Sequence, residues 1–166
     1  YIPDTGDVPL VADVSSCFLS EPMDVSKFGM LYGGAQKNVA PAGLTIVIVR
    51  EDLLGKAMPL TPTMLDLKAM ADGESMYNTP PCYSIYMCKL VLEWIKDMGG
   101  LEAVKENNIK KAKLLYDFFE ESKMFKTVIP EEDRSLMNIP FVTGNEELDA
   151  KFVKEAEAAG FVNLKG

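Results

Sequence analysis

Three short segments of this 166-residue sequence place reactive side chains beside small residues or prolines. Asp13 lies at the end of an apolar run, Lys37 follows a pair of glycines, and Asn78-Thr79 precedes two prolines. Together they offer a carboxylate, a primary amine and two side chains that form hydrogen bonds. A carboxylate and an amine that converge on one ligand can balance a charge and form a covalent bond, so these positions are the candidates for chemistry.

Asp13 is expected at the carboxyl end of a buried strand over residues 10–14, and Lys37 in the segment that follows a strand over residues 30–32. Ligands of α/β sheets gather beyond the carboxyl ends of the strands, where these two side chains can meet. Pyridoxal phosphate requires such a pair, because an amine condenses with its aldehyde and a carboxylate keeps its ring nitrogen protonated. The two glycines before Lys37 carry no side chain, so the backbone can approach a cofactor closely there.

Each of these residues also fits a common structural role when it is considered separately. Lys37 is also typical of a solvated lysine after a glycine turn, and Asp13 of a turn or helix-capping residue. Asn78 and Thr79 are equally suited to cap the helix expected after them. The residues alone therefore leave the catalytic and the structural interpretation open.

The first half of the sequence is expected to form the sheet that positions these residues. Apolar, β-branched runs predict strands over residues 10–14, 30–32 and 44–49. The last run is continuously apolar, which is the pattern of a strand covered on both faces. Three such strands with short connections predict part of the central sheet of an α/β domain.

After residue 80 the spacing of apolar residues changes to that of helices. Spacings of three and four predict amphipathic helices over 82–98 and 101–122, the first preceded by two prolines and followed by two glycines. The residues expected on the buried faces of the two helices are Tyr83, Tyr86, Met87, Leu90, Val91, Trp94 and Ile95, then Leu101, Val104, Ile109, Ala112, Leu115, Tyr116 and Phe119.

The last third of the sequence predicts a smaller α+β arrangement. A strand is expected over 137–142, at a sheet edge because Pro140 has no N–H to donate. A helix over 148–159, capped by Gly160, and a strand from residue 161 are expected to follow. The predicted domains are part of a large domain over 1–82, a bridging helix over 83–98 and a small domain over 99–166.

The composition disfavours or excludes several classes of function. With 25 acidic and 17 basic residues the net charge is −8, which disfavours binding to nucleic acid. The absence of histidine excludes histidine-based triads and zinc sites. Cys82 and Cys88 are expected to be small buried residues of one helix, and the three cysteines fit no disulfide framework. With no apolar run long enough for a membrane span and no recognisable signal peptide, a cytoplasmic protein is expected.

Several motifs, taken in order along the whole sequence, resemble those of phosphoserine aminotransferases, a family of fold-type-I pyridoxal phosphate enzymes. The run Ala35-Gln36-Lys37-Asn38 with its Pro-Ala-Gly tail is especially specific. The other matching segments are residues 13–16, 50–55, 78–81, 137–141, 158–160 and 164–166. The resemblance implies part of the large-domain α/β sheet of fold type I together with an α+β small C-terminal domain.

The resemblance also implies a role for each candidate residue. Lys37 would form the Schiff base with pyridoxal phosphate and then move a proton between the substrate Cα and the cofactor C4′. Asp13 would pair with the ring nitrogen, and Gln36 would contact the cofactor phosphate. Asn78 and Thr79 would reach the phosphate of the cofactor in the partner subunit of a homodimer.

The implied reaction is amino-group transfer between O-phospho-L-serine and 2-oxoglutarate in serine biosynthesis. Ser15 and Ser16 are assigned only a supporting position behind Asp13. The sequence has two arginines, Arg50 and Arg134, which leaves few bidentate partners for a substrate carboxylate or phosphate. The resemblance also implies that roughly half of the family's length precedes Tyr1 and that a further segment follows Gly166, which would account for the scarce arginines. The chain is for that reason expected to be a fragment of the enzyme, without measurable transamination by itself. The alternatives are an alanine–glyoxylate aminotransferase, a cysteine desulfurase, or a non-catalytic folded module.

Overall fold

Three strands form a mixed sheet in the first half of the chain: β1 (Val11–Asp13), β2 (Met30–Gly34) and β3 (Thr45–Val49). The computed structural model describes residues 2–164. β1 and β2 run parallel with Asp13 opposite Tyr32, and β3 runs antiparallel to β2. The carboxyl ends of β1 and β2 therefore lie side by side at one end of the sheet.

The predicted strands are confirmed in position, with differences at their ends and in their coverage. β2 continues through Gly33 and Gly34, which both pair with β3. The prediction that the third strand is covered on both faces is wrong for this chain. Within the described residues β3 is an edge of the sheet, and Val47 and Ile48 are 40% and 41% exposed.

Two clusters of buried side chains stabilise the sheet and the segment that follows β2. The members of the first are Val14, Phe28 and Leu31. The second contains Ala35, Val39 and Cys88, and it joins the segment after β2 to a helix that comes much later in the chain. Burial of these apolar side chains stabilises the ends of β1 and β2 and the segment that follows β2.

Four α-helices are present in residues 2–164, with short 3₁₀ turns between elements. The helices are α1 (Leu67–Asp72), α2 (Cys82–Asp97), α3 (Gly100–Glu121) and α4 (Glu146–Ala158). The 3₁₀ turns are Val25–Lys27, Glu51–Leu53, Thr63–Leu65 and Glu131–Asp133. α2 and α3 confirm the two predicted amphipathic helices to within one residue at each end. In this part of the chain, no helix has the length and apolar character that a membrane crossing requires.

The buried face of α2 differs from the predicted one. Ser84, Cys88 and Ile95 are buried, whereas Tyr83 and Trp94 are 68% and 59% exposed. The spacing of apolar residues predicts that a helix forms, but the buried face depends on what packs against it. Here the segment after β2 contacts α2 through Ser84 and Cys88.

Other predicted burials are also only partly correct. Cys88 is buried but Cys82 is exposed, so the prediction of two buried cysteines holds for one of them. On α3, Ile109 and Leu115 are 43% and 48% exposed. The buried residues that were expected on that helix are Ala112, Tyr116 and Phe119.

The later part of the chain contains a two-stranded antiparallel sheet, β4 (Lys126–Thr127) with β5 (Phe141–Val142). Aromatic rings pack on it. Phe141 stacks on Phe119 of α3 with 4.9 Å between ring centroids, and Phe152 of α4 meets Phe141 edge-on at 5.8 Å. This small sheet is therefore held to both helices by aromatic contacts.

Predictions near the end of the chain have mixed outcomes. The strand predicted over 137–142 is confirmed only in its last two residues. α4 begins two residues earlier than predicted, because the side chain of Asn145 caps its first turn. Gly160, with φ of +93°, ends it as predicted. Residues 161–164 form no strand, and the matching motif's end at Lys165-Gly166 lies outside the described residues.

Contacts divide the chain into two compact units, one up to Lys105 and the other from Glu106 onward. α2 therefore belongs to the same unit as the three-stranded sheet. This division differs from the predicted organisation into 1–82, 83–98 and 99–166, and those domain boundaries stay a prediction.

Candidate functional site

Asp13, the last residue of β1, turns its carboxylate back onto Ser15. Asp13 Oδ1 accepts hydrogen bonds from the Ser15 hydroxyl at 2.6 Å and from the Ser15 backbone N–H at 2.9 Å. These two bonds hold the pKa of Asp13 below its ordinary value, against the effect of desolvation, and the Tyr32 hydroxyl and the Lys37 charge add to them. The carboxylate is therefore ionised at neutral pH.

Ser15 also links Asp13 to the neighbouring strand. The backbone N–H of Gly34, at the end of β2, donates to Ser15 Oγ at 2.9 Å. The N–H of Val14 donates to the Tyr32 carbonyl at 2.8 Å and extends the pairing of the two strands past Asp13. The carboxyl ends of β1 and β2 are thus joined through backbone and side chain at the point where the candidate residues lie.

The segment that carries Lys37 is a compact turn after β2. The N–H of Ala35 donates to the Leu44 carbonyl at 2.9 Å, and the N–H of Val39 donates back to the Ala35 carbonyl at 3.0 Å. Ala35 and Val39 are 1% and 2% exposed, whereas Gln36 and Lys37 are exposed. The turn therefore buries its apolar residues and presents the amide and the amine to solvent.

Contacts from both sides hold this turn in place. Asn38 Nδ2 donates to the Phe18 carbonyl at 3.0 Å, which ties the turn to the segment after β1. On the other side, Ser84 Oγ of α2 donates to the Ala42 carbonyl at 3.3 Å, and Cys88 packs in the cluster beneath the turn. The position of Lys37 is thus set by elements on either side of it in the sequence.

The side chain of Gln36 folds back over Gly34. A β-carbon at Gly34 would lie 2.5 Å from Gln36 Oε1, closer than real β-carbons come to other atoms. At Gly33 the nearest atom would be a Phe18 ring carbon at 3.5 Å, an ordinary contact. Gly34 must therefore be small to accommodate Gln36, while the prediction that the glycines admit a cofactor stays a prediction.

Asn78 and Thr79 belong to the segment that leads into α2. Asn78 Nδ2 makes a local bond to the Thr79 carbonyl at 3.2 Å, and both residues are exposed. Asn78 also lines a cavity of about 410 Å³ between β3 and α1. No hydrogen bond or ion pair recorded in residues 2–164 joins either residue to Asp13 or Lys37. Lys37 acts on Asp13 through its charge, and Gln36 is the neighbour of Lys37 on the same turn. The roles predicted for Asn78 and Thr79 stay predictions.

Three residues of the site have a role that the sequence analysis missed or understated. Ser15 binds both strands, Tyr32 helps to keep Asp13 ionised, and Asn38 fixes the turn. Tyr32 carries a hydroxyl within an otherwise apolar strand, which is a usable signal. Its position opposite Asp13 depends on strand register, which the sequence does not reveal.

The chemistry of the site follows from its two charged groups. An ionised carboxylate and a primary amine lie at the same end of two adjacent strands, close enough for the amine's charge to lower the pKa of Asp13. These groups fit pyridoxal phosphate, since the carboxylate can stabilise a protonated ring nitrogen and the amine can bond to an aldehyde carbon. Among the described residues, no cluster of acidic or cysteine side chains could hold a metal ion.

Comparison with known protein families gives a match over nearly the whole chain. The model of the aminotransferase class-V family matches residues 2–160. The chain is 54% identical over 166 residues to a phosphoserine aminotransferase of Pseudomonas syringae pv. syringae, covering 100% of this chain and 46% of that protein. It is 57% identical over 165 residues to the Listeria innocua protein of the same name, covering 99% of this chain and 45% of that protein. The chain thus spans about half the length of the curated relatives it matches.

Solved structures agree with these sequence matches. A phosphoserine aminotransferase from Bacillus circulans subsp. alkalophilus superposes with a TM-score of 0.90 at 49% identity, over 99% of this chain and 46% of that one. A phosphoserine aminotransferase from Trichomonas vaginalis, described as bound to pyridoxal phosphate (PLP), superposes with a TM-score of 0.89 at 37% identity, over 99% of this chain and 47% of that one.

Proposed function

The chain belongs to the aminotransferase class-V family and has the fold of the fold-type-I enzymes in it, and we propose on that premise that Asp13 and Lys37 hold pyridoxal phosphate for amino-group transfer. The observation that carries the proposal is that Asp13 ends β1 and is kept ionised by Ser15, while the charge of Lys37, on the turn after β2, also lowers the Asp13 pKa. The substrates we propose are O-phospho-L-serine and 2-oxoglutarate, as in serine biosynthesis.

Lys37 has two tasks in this proposal. Its Nζ would hold the cofactor covalently and, once the amino group of the substrate has displaced it, would move a proton between the substrate Cα and C4′ of the cofactor. The exposed position of Lys37 on a turn whose base is buried lets the amine move while the backbone stays fixed. When bound, pyridoxal phosphate acts as an electron sink that stabilises negative charge at the substrate Cα.

Asp13 and Gln36 would hold two different parts of the cofactor. Asp13 would keep a proton on the ring nitrogen through an ionised carboxylate, and its lowered pKa keeps that charge present throughout the neutral range. Gln36 offers the amide that lies over Gly34 to the cofactor phosphate. Asp13 is positioned by the hydrogen bonds that it accepts from Ser15, so it can bind the cofactor before substrate arrives.

Asn78 and Thr79 are proposed to act in a homodimer. In this proposal they reach the cofactor phosphate of the partner subunit rather than that of their own chain. Since the chain covers about half of its curated relatives, transamination is proposed for a protein of the relatives' length. The 166 residues alone are expected to show no measurable turnover of phosphoserine. A cytoplasmic location is part of the same proposal.

Reductive labelling tests the cofactor assignment directly. The chain is mixed with pyridoxal phosphate, its absorption band is recorded, and the adduct is reduced with borohydride and mapped by mass spectrometry. We expect the label on Lys37, its loss in Lys37→Ala, and its retention in the matched variant Lys56→Ala, which removes another exposed lysine of the same unit. Label spread evenly over many lysines, or absent altogether, would contradict the proposal.

A further inference from the structure

Ser15 has a near duplicate elsewhere in the chain, and the comparison shows what is particular to it. At Asp24-Val25-Ser26, Asp24 Oδ1 accepts from the Ser26 hydroxyl at 2.6 Å and from the Ser26 N–H at 3.1 Å. Asp13 and Ser15 form the same pair of bonds at 2.6 and 2.9 Å. An aspartate that accepts these two hydrogen bonds from the serine two residues later forms a common local turn. Such a turn does not by itself indicate a binding site.

The two serines differ in their contacts beyond the turn. Ser15 Oγ also accepts the N–H of Gly34, which lies 19 residues away in sequence at the end of β2. No bond recorded in residues 2–164 takes the Ser26 hydroxyl outside its own turn. The Ser15 hydroxyl thus accepts from one strand and donates to the carboxylate that ends the other.

This double role constrains the hydroxyl and the groups around it. Because the Gly34 N–H occupies one lone pair of Ser15 Oγ, the hydroxyl proton must point away from Gly34 and toward Asp13 Oδ1. Gly34 immediately precedes the turn that presents Gln36 and Lys37. A shift of Gly34, where the turn begins, relative to Asp13 would therefore stretch one of these two hydrogen bonds.

We propose that Ser15 is a positioning residue of the cofactor site, whose hydroxyl fixes the Asp13 carboxylate relative to the turn that carries Lys37. This inference rests on the proposed function, because it assigns Ser15 to the same ligand. Ser15 need not touch the cofactor. Its contribution is to keep Asp13 and Lys37, the two residues proposed to touch the cofactor, at a constant separation and orientation.

The test compares Ser15→Ala with Ser26→Ala, since both remove a hydroxyl from the same local turn. Two properties are measured: hydrogen exchange at the Gly34 amide without cofactor, and the affinity and absorption spectrum of bound pyridoxal phosphate. We expect Ser15→Ala to speed Gly34 exchange, to weaken cofactor binding about tenfold and to shift the absorption band, as loss of a hydrogen bond to a charged group predicts. Ser26→Ala should change none of these. Ser15→Thr, which keeps the hydroxyl, should restore affinity to within about twofold of the original chain.

The outcomes separate this inference from the proposed function. If Lys37 is labelled in every variant and Ser15→Ala binds the cofactor as tightly as Ser26→Ala, Ser15 has no positioning role and the proposed function stands. If Ser15→Thr binds as weakly as Ser15→Ala, although circular dichroism shows both folded, the hydroxyl is not the cause and the inference is overturned. If Lys37 is unlabelled even in the original chain, the proposed function fails and this inference falls with it.

Discussion

The side-chain amide of Gln36 occupies the space that a side chain at Gly34 would need, with Oε1 2.5 Å from the position of a β-carbon there. The turn that carries Lys37 is thus shaped partly by its own residues. Gly33, the other glycine of the pair, has ordinary space around it, 3.5 Å to the nearest atom. Two adjacent glycines therefore differ in what a substitution would cost, and this difference can be measured.

Gly34→Ala is expected to displace Gln36 and to weaken binding of pyridoxal phosphate, while Gly33→Ala is expected to bind normally. The clash at Gly34 involves the end of a flexible side chain, so the fold should survive in both variants. In a chain that already carries Gln36→Ala, Gly34→Ala should have little further effect, because the displaced group is gone. Cofactor affinities of the original chain, Gly33→Ala, Gly34→Ala, Gln36→Ala and the double variant test this. Independent, additive losses from Gly34→Ala and Gln36→Ala would contradict it.

Leu31 in β2 is expected to contribute strongly to stability. It is 2% exposed and packs with Val14 and Phe28, whereas Leu60 is 94% exposed. Leu31→Ala should lower the free energy of unfolding by about 2–5 kcal/mol, because it removes buried methyl groups and leaves a cavity. Leu60→Ala removes the same atoms from an exposed site and should change it little. Urea unfolding measures both, and equal losses would show that this core cluster does not form.

The three cysteines are expected to differ in reactivity. Burial raises the pKa of the Cys88 thiol, and burial together with the charges of Glu21 and Asp13 raises that of Cys17. Fewer thiolates form at neutral pH as a result, so both should react slowly with a thiol reagent and speed up as pH rises. Cys82 is exposed and should react first. Cysteine mapping after brief labelling checks this, with urea-unfolded chain as the control in which all three react alike. Rapid labelling of Cys17 or Cys88 in the folded chain would contradict it.

Lowered pKa values of three aspartates predict how the free energy of unfolding depends on pH in the acid range. Hydrogen bonds from Ser26 lower the pKa of Asp24, those from Ser15 lower the pKa of Asp13, and the Arg50 side chain lowers that of Asp52. As pH falls, these aspartates take up protons in the unfolded chain before they do so in the folded chain. Their contribution to the free energy of unfolding is therefore fully present above the ordinary aspartate pKa, about 3.9. That contribution is lost as pH falls through the lower pKa values of the folded chain. Asp24→Asn should make the acid limb of the urea midpoint shallower than in the original chain. An unchanged slope would show that Asp24 titrates alike in both states.

The two long helices and the positions of the first three strands could be predicted from the sequence, because the spacing of apolar residues is a local property. The strands predicted over 137–142 and from residue 161 were right only in part or not at all in the described residues. Asp13 and Lys37 could be placed together since both follow strands of one sheet. The buried face of α2 could not be predicted, because it depends on which segment packs against Ser84 and Cys88. The constraint at Gly34 was equally hidden, since it arises from the side-chain conformation of Gln36. Register decides that Tyr32 lies opposite Asp13, and register is set by packing rather than by local sequence.

The central claim is that Asp13 and Lys37 act on one molecule of pyridoxal phosphate. Its most direct test is the ¹⁵N chemical shift of the ring nitrogen in isotope-labelled cofactor bound to the chain, compared between the original protein, Asp13→Asn and the matched variant Asp24→Asn. We predict the shift of a protonated ring nitrogen in the original chain and in Asp24→Asn, and that of an unprotonated nitrogen in Asp13→Asn, with the cofactor still attached to Lys37 in all three. The same shift in all three proteins would contradict the account.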